Sequence, residues 1–461
     1  MTPTQRSNEH NDRFIAPFEP VFNKLRSPFD AFVHNTTAGG LLLMMTALVA
    51  LILANSALAS FYGDLFHTQL ILKLGEWKLD YTLHHWINDG LMTLFFFVVG
   101  LELKRELLVG ELADPKQAML PILAALGGMV FPALIYWYFN PTGEASAGWG
   151  IPMATDIAFA LGVIAMLAGR VPKALVAFLV ALAIVDDLGA VLVIAVFYTE
   201  NLSLPLLALG LALSFLLMLM NRSGIRRPLP YFIVATLLWL TLLDSGVHAT
   251  IAGVITAFMI PTLPQYNTQA FSRQMREVLD EFDQAAKDSS GNLLRNHQQF
   301  EILNRLEHKV QGVATPLQRL EHNLHLPVAF LVLPIFAFAN AGVPIDFAHF
   351  MDSLSHPVTQ GVLYGLVVGK LIGIALVSYV AVKLGLAKLP QDVNFTQIVG
   401  VALLGGIGFT MSIFIAEIGF QGQAELIVQA KIGILLASLI AGIVGYVFLK
   451  SVTAPTTSAE K

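Results

Sequence analysis

Twelve apolar runs constrain this chain more than any other feature. They lie near 38–59, 91–110, 118–138, 151–169, 174–198, 203–220, 229–243, 247–260, 326–342, 359–382, 398–417 and 427–449. A hydrocarbon layer about 30 Å thick needs about 20 apolar helical residues to cross it. Inside lipid every backbone N–H and C=O must be satisfied within the protein, which restricts spanning segments to helices and closed barrels. Runs of this length predict helices, and hence an all-α polytopic membrane protein of about twelve spans. Composition agrees: 56% of the 461 residues are hydrophobic and 13% charged, about half the roughly 25% of a soluble domain. The 36 Gly and 22 Pro suit membrane helices better than long soluble ones. The chain has no cysteine, which excludes disulfides, thiol catalysis and thiolate metal sites.

The run at 38–59 is too long for the apolar part of a signal peptide, and many spans follow it, so it reads as the first span. Residues 229–243 and 247–260 are short, and read either as tilted spans or as one re-entrant hairpin; the orientation of the others is the same in both cases. Lys and Arg set that orientation. Of 27 basic residues, 23 fall on one side and only Lys73 and Lys78 on the other. The positive-inside rule then places both termini, residues 1–33 and 450–461, in the cytoplasm. Residues 14–32 read as an interfacial amphipathic piece or a tail with scattered aromatics. The polar stretch 261–325, between spans 1–8 (34–260) and 9–12 (326–449), carries seven basic and eight acidic residues. Phe271, Met275, Val278 and Phe282 recur there at helical spacing, as do Leu303, Leu306 and Val310. Two cytoplasmic helices are expected, with a regulatory, partner-binding or merely connecting role.

Two spans carry breaks. The fourth opens Trp149-Gly-Ile-Pro152-Met-Ala-Thr155-Asp156 before the apolar run 157–168, which as clean helix would be about 18 Å long. The eleventh contains Gly405, Gly406 and Gly408, then Thr410 and Ser412. The glycines read either as a helix break or as sites of close helix packing. Spans three to five and ten to twelve are offset by seven, an odd number, so they run in opposite directions. Broken central helices in two inverted triplets are how secondary transporters build an ion site at mid-membrane.

The charges inside the spans point the same way. Asp186 and Asp187 are adjacent in an otherwise apolar run, where each charge costs roughly 2.5–3.5 kcal/mol on insertion scales. Adjacent helical positions point about 100° apart, so one carboxylate can face a water-filled cavity while the other pairs with a base. Lys370, in span ten, is the candidate base, and Asp156 is a third acid. Three acids and one lysine at this depth favour cation or proton translocation over a structural salt-bridge network. Carboxylates and free carbonyls are hard oxygen donors suited to Na⁺ or Li⁺, and protons compete for the same oxygens. Exchange follows if only loaded forms cross. Glu102, Lys104, Arg105 and Glu106 read as a charged helix end or a cation-gathering mouth, and His248 as a titratable or merely interfacial histidine. Glu417 and Lys431 read as interfacial. No phosphate-binding loop, dinucleotide fingerprint or hydrolase motif is present, so neither an enzyme nor an ATP-driven pump is expected. No cofactor and no nucleic-acid partner are implied.

Seven strings resemble the bacterial NhaA sodium/proton antiporter family. They are Trp86-Ile-Asn-Asp89-Gly90, Phe97-Val-Val-Gly-Leu-Glu102-Leu-Lys-Arg-Glu106, Ala154-Thr-Asp156-Ile-Ala-Phe159, Val185-Asp-Asp-Leu-Gly-Ala190, Gly246-Val-His248-Ala-Thr250, Leu333-Pro-Ile-Phe-Ala-Phe-Ala-Asn-Ala-Gly342 and Gly406-Ile-Gly-Phe-Thr-Met-Ser412. The resemblance implies a twelve-span fold with inverted repeats and two broken helices crossing at mid-membrane. It implies electrogenic export of one Na⁺ or Li⁺ for two protons, in the service of sodium and pH homeostasis at the inner membrane. Asp187 would bind the cation with Asp186, near Thr155. Asp186 would pair with Lys370 when the cation is absent, and Asp156 would offset the half-helix dipoles. Glu102, Arg105 and Glu106 would form a pH-response cluster modulated by His248. A homodimer through the loop between spans one and two is also implied. The sequence departs from compact family members in 261–325, and has Gly-Lys370-Leu where Gly-Lys-Pro is usual. The alternative is another proton-coupled carrier of a cation or small organic solute.

Overall fold

The structure is a computed structural model. It describes residues 36–75, 77–167, 169–199, 202–264, 268–287, 296–346 and 348–453. The stretch 14–32 and most of the 450–461 tail lie outside them.

The protein is an all-α polytopic membrane protein. Among the described residues, eight helices are long and apolar enough to cross a bilayer, and ten if each of two bent pairs counts as one span. In chain order the helices begin with α1 (Thr36–Ala54), α2 (Ala59–His67), α3 (Leu83–Val109), α4 (Pro115–Phe139), α5 (Ile157–Ala165) and α6 (Lys173–Phe197). Then come α7 (Leu204–Arg222), α8 (Pro228–Leu243), α9 (Ile251–Met259), α10 (Thr268–Lys287), α11 (His297–Val313) and α12 (Pro316–Asn340). The last are α13 (Phe350–Ser355), α14 (Pro357–Lys383), α15 (Phe395–Leu404), α16 (Phe409–Gly419) and α17 (Ala424–Val452).

Local chemistry explains the ends. Asp114 accepts from Lys116 N at 3.0 Å to cap α4, with Pro115 in its first turn. Thr315 and Gln318 form a capping box at α12, which therefore starts well before the apolar stretch near 326. Gly224 and Gly385, both at positive φ, follow the ends of α7 and α14.

Several features differ from the periodicity reading. The run at 38–59 does not continue straight: α2 turns 110° from α1. Asn55 holds the turn, donating to Val343 O at 2.8 Å and accepting from Ile345 N at 2.7 Å. The run at 247–260 coils for only nine residues, α9. A β-hairpin, β1 (Gln69–Leu74) and β2 (Trp77–Thr82), fills the connection to α3. Its signal was the alternation Leu70, Leu72, Leu74 ahead of Gly75, which turns at positive φ. In the polar insert α10 packs on α11 through Val278, Ala285 and Ile302, with Phe282 and Leu306 alongside. The expected stripe on α11 is displaced: Ile302 is buried, whereas Val310 is exposed.

The site is positioned by the packing of α4 against α14. Gly127 and Gly373 meet backbone to backbone, and a Cβ on Gly369 would stand 2.7 Å from Pro132 Cα. Small residues give this close approach where lipid supplies no hydrophobic drive between helices. A π turn, Gly365–Gly369, immediately precedes Lys370, and such bulges often lie at functional sites.

Candidate functional site

The two interrupted helices touch at their breaks. Ahead of α5 runs a ten-residue 3₁₀ stretch, Glu144–Met153, followed by extended residues 154–156. So long a 3₁₀ run is uncommon, and side chains from neighbours hold it. Tyr136 Oη donates to Ala145 O at 2.7 Å, Tyr198 Oη to Ala147 O at 2.6 Å and Ser412 Oγ to Ile151 O at 2.8 Å. The regular helix α5 is nine residues, about 13 Å, shorter than the sequence suggested. Residues 405–408 separate α15 from α16, which differ in direction by 49°.

Across the gap, Thr155 Oγ1 donates to Gly405 O at 2.9 Å and Asp156 N to Ile407 O at 2.6 Å. The Asp156 carboxylate serves both half-helices. Its Oδ1 accepts from Phe159 N at 2.9 Å in the first turn of α5. Its Oδ2 accepts from Thr410 N at 3.0 Å and Thr410 Oγ1 at 2.5 Å in the first turn of α16. Two positive helix ends thus share one buried carboxylate. Both carboxylate oxygens of Asp156 are engaged by the two half-helices.

The glycines of the second break both interrupt the helix and admit α14. A Cβ on Gly406 would stand 2.6 Å from Leu366 O, and one on Gly405 2.8 Å from Ile374 Cδ1. Since a backbone carbonyl cannot swing aside, Gly406→Ala is expected to cost about 1–3 kcal/mol as overpacking. Gly442→Ala is the control, because its nearest neighbour would be Ile407 Cδ1 at 3.8 Å. Thermal unfolding in detergent should show a lower Tm for the first variant and little change for the second.

Beside the breaks lie the buried charges. Asp186 and Asp187 sit near the middle of the 25-residue α6, and Lys370 on α14. Lys370 Nζ is 2.5 Å from Asp186 Oδ2, and both side chains are fully buried. Asp186 Oδ1 and Asp187 Oδ1 are buried without a hydrogen-bond partner. Thr155 neighbours Asp186. A buried carboxylate oxygen left unpaired is costly, and here two lie on adjacent residues next to helix breaks. The donor set is hard oxygen, suited to a small alkali cation.

The expected pH-response residues separate into two groups. Toward the C-terminal end of α3, Arg105 bridges Glu106 at 2.7 Å and Glu321 at 2.9 Å. Glu106 also accepts from Glu111 N at 3.0 Å, and Glu102 lies 3.4 Å from His325. Glu321 and His325 were not singled out in the sequence; they lie on α12 ahead of its apolar stretch. Lys104 caps α9, donating to Phe258 O at 2.6 Å and Ile260 O at 2.5 Å. His248 is elsewhere. It lies in the turn before α9, 2.9 Å from Thr250 Oγ1 and 3.8 Å from Asp89 near the start of α3. Seventeen helical steps, about 25 Å, separate Asp89 from Glu106.

His248 and Asp89 line a cavity of about 610 Å³ shared with His84, His85 and Glu417. Tyr81 on β2 also lines it and donates to Asp244 at 3.1 Å. Burial, reinforced by the Asp244 carboxylate, pushes the Tyr81 phenol up to about 12, so it stays protonated. Glu417 and Lys431, read from sequence as interfacial, form an ion pair at 2.6 Å with side chains 15% and 10% exposed.

Buried, unsatisfied charges gathered where helices are interrupted define a class: a secondary transporter of the polytopic membrane type. The Na⁺/H⁺ antiporter 1 family matches residues 30–449, and the chain belongs to that family. It is 56% identical over 450 residues to the Na(+)/H(+) antiporter NhaA 1 of Saccharophagus degradans, covering 96% of this chain and 97% of that one. It is 51% identical to the Na(+)/H(+) antiporter NhaA of Sulfurimonas denitrificans, covering 95% and 98%. It is 49% identical to the Dichelobacter nodosus Na(+)/H(+) antiporter NhaA, covering 96% of each.

Proposed function

We propose that the chain is a secondary active Na⁺(Li⁺)/H⁺ antiporter that exports one cation for two entering protons. The observation that carries this reading is the Asp186–Lys370 pair with unpaired oxygens on Asp186 and Asp187 beside the two touching breaks. Family membership supports it. Without a cation, Lys370 neutralises Asp186 and Asp187 is left open. An entering Na⁺ takes oxygens from both aspartates, near Thr155, and its positive charge loosens the hold on Lys370. Protons rebind the same groups on the return. Asp156 offsets the two helix ends, so the breaks re-angle without exposing an uncompensated dipole. Net movement of charge follows from two protons against one cation.

The twelve-span topology includes the sixteen-residue α8 and the nine-residue α9. The two breaks cross at mid-membrane as parts of inverted repeats, with both termini cytoplasmic in the inner membrane. The Glu102, Arg105 and Glu106 end of α3 then faces the cytoplasm as the pH-response cluster. The cavity at Asp89 and His248 faces outward, and His248 adjusts the response from there. A homodimer forms through the β1–β2 hairpin.

Proteoliposomes carrying a lumenal pH dye test the reading. An Na⁺ or Li⁺ pulse should move protons, and a K⁺ pulse should not. Because protons and Na⁺ share ligands, apparent Na⁺ affinity should weaken as pH falls from 9 to 6. The limit is about tenfold per pH unit for each competing proton. An affinity flat across that range would contradict shared ligands.

A further inference from the structure

Four helices converge on one short chain of polar groups beside the 610 Å³ cavity. Lys431 of α17 holds Glu417 of α16 at 2.6 Å. His84, at the start of α3, has Nε2 3.9 Å from the same carboxylate oxygen and 3.0 Å from Asn340 Oδ1 of α12. Asn340 donates its amide protons to Phe336 O at 3.0 Å and Asn88 Oδ1 at 2.8 Å. A backbone carbonyl only accepts, which fixes the amide, so Asn340 Oδ1 must accept from His84. Neutral His84 therefore carries its proton on Nε2, and Nδ1 is the atom left to titrate. Its side chain is 29% exposed, so water reaches it. Among the described residues, His67 on α2 also acts on it; on its own helix, His85 pairs with Asp89 at 3.0 Å.

We propose that His84 is a titratable latch on the outer end of α16, through which acid on that side slows exchange. This role rests on the antiport reading and the orientation above. The helix α16 follows the 405–408 break, and its first turn holds Asp156. Any change of angle at the break must swing its far end, where Glu417 lies. While His84 is neutral, Glu417 serves Lys431 alone. Protonation places a second cation beside the carboxylate, which then ties α16 to both α3 and α17. The charged ring still donates Nε2–H to Asn340, so no hydrogen bond is lost. Burial of the ring opposes protonation, as does repulsion from Lys431 and His67, and Glu417 favours it.

The test varies outer pH at fixed inner pH in proteoliposomes of known protein orientation. Wild-type exchange should slow by about fivefold as outer pH falls below about 6.5, the ordinary histidine value. His84→Gln, which still offers an N–H to Asn340, should lose most of that slowing while keeping its inner-pH profile. Glu417→Gln with Lys431→Met, which leaves no buried charge unpaired, should lose it too. Protection of α16 amides, taken relative to the intrinsic exchange rate at each pH, should rise at low outer pH in the wild type and not in His84→Gln. An outer-pH profile in His84→Gln identical to the wild type would overturn the latch. Slowing that depends on His84 but answers to inner pH would retain the latch and reverse the orientation. No Na⁺-driven proton flux in any variant would instead reject antiport, with the hydrogen-exchange result still reporting on the latch.

Discussion

Asp187→Asn is expected to abolish Na⁺-driven proton flux while leaving a folded protein in the membrane. The amide has nearly the shape of the carboxylate, so packing around this 1% exposed side chain is kept. What disappears is the charge that both ions need. The structure also explains why stability should survive. The Asp187 carboxylate is not the partner of Lys370, which is held by Asp186 at 2.5 Å. Removing it orphans no base, and it relieves the repulsion between adjacent buried carboxylates. Thermal unfolding should therefore give a Tm no lower than the wild type, alongside absent exchange. Wild-type flux from correctly folded Asp187→Asn would sink the assignment of the cation to this residue. Asp186→Asn is expected to behave differently, losing stability as well as transport because Lys370 is left without its counter-charge.

Lys370→Ala should have the largest effect on stability. Lys370 and Asp186 are both fully buried, and breaking such a pair from one side costs about 3–5 kcal/mol because an unpaired charge remains. Replacing both partners together tests that account: Asp186→Leu with Lys370→Met should recover much of the Tm yet carry no ions. A Tm unchanged in Lys370→Ala would mean that the pair is energetically idle. Lys370→Gln separates clamp from carrier, since glutamine packs in part but holds no proton. If Lys370 carries one of the two exchanged protons, the residual flux should be electroneutral. Potential-sensitive and pH-sensitive dyes read on the same vesicles would show it. Undiminished charge movement per Na⁺ would leave Lys370 the clamp alone.

Residues that break a lipid-phase rule locally were legible without coordinates. Asp186, Asp187 and Lys370 are charges in apolar runs. Thr155–Asp156 and Gly405–Gly406 interrupt helices that lipid would otherwise keep whole. Other features were not legible. Glu417 and Lys431 lie near span ends, where a charge is ordinary, and nothing near them in sequence shows that they face one another. Glu321 and His325 precede an apolar stretch and read as polar insert, because the capped start of α12 extends that helix past the hydrophobic signal. The 110° turn after α1 depends on Asn55 meeting residues 343–345, a contact that no local pattern announces.

The sequence by itself determined that the chain spans membranes, where its helices weaken, and which charges are too costly to be idle. Which charges meet is set by tertiary packing; residue patterns left it open, and only the family resemblance implied the Asp186–Lys370 pair and the place of Asp156. Asp186 pairs with Lys370, 184 residues away, while adjacent Asp187 does not. Asp156 joins the first turns of two helices 254 residues apart. The physical reason is rotation and depth. A partner is chosen by how far each helix turns and slides against its neighbours. Those settings come from contacts such as Gly127 on Gly373 and Gly406 under Leu366, which exist only once the helices have packed.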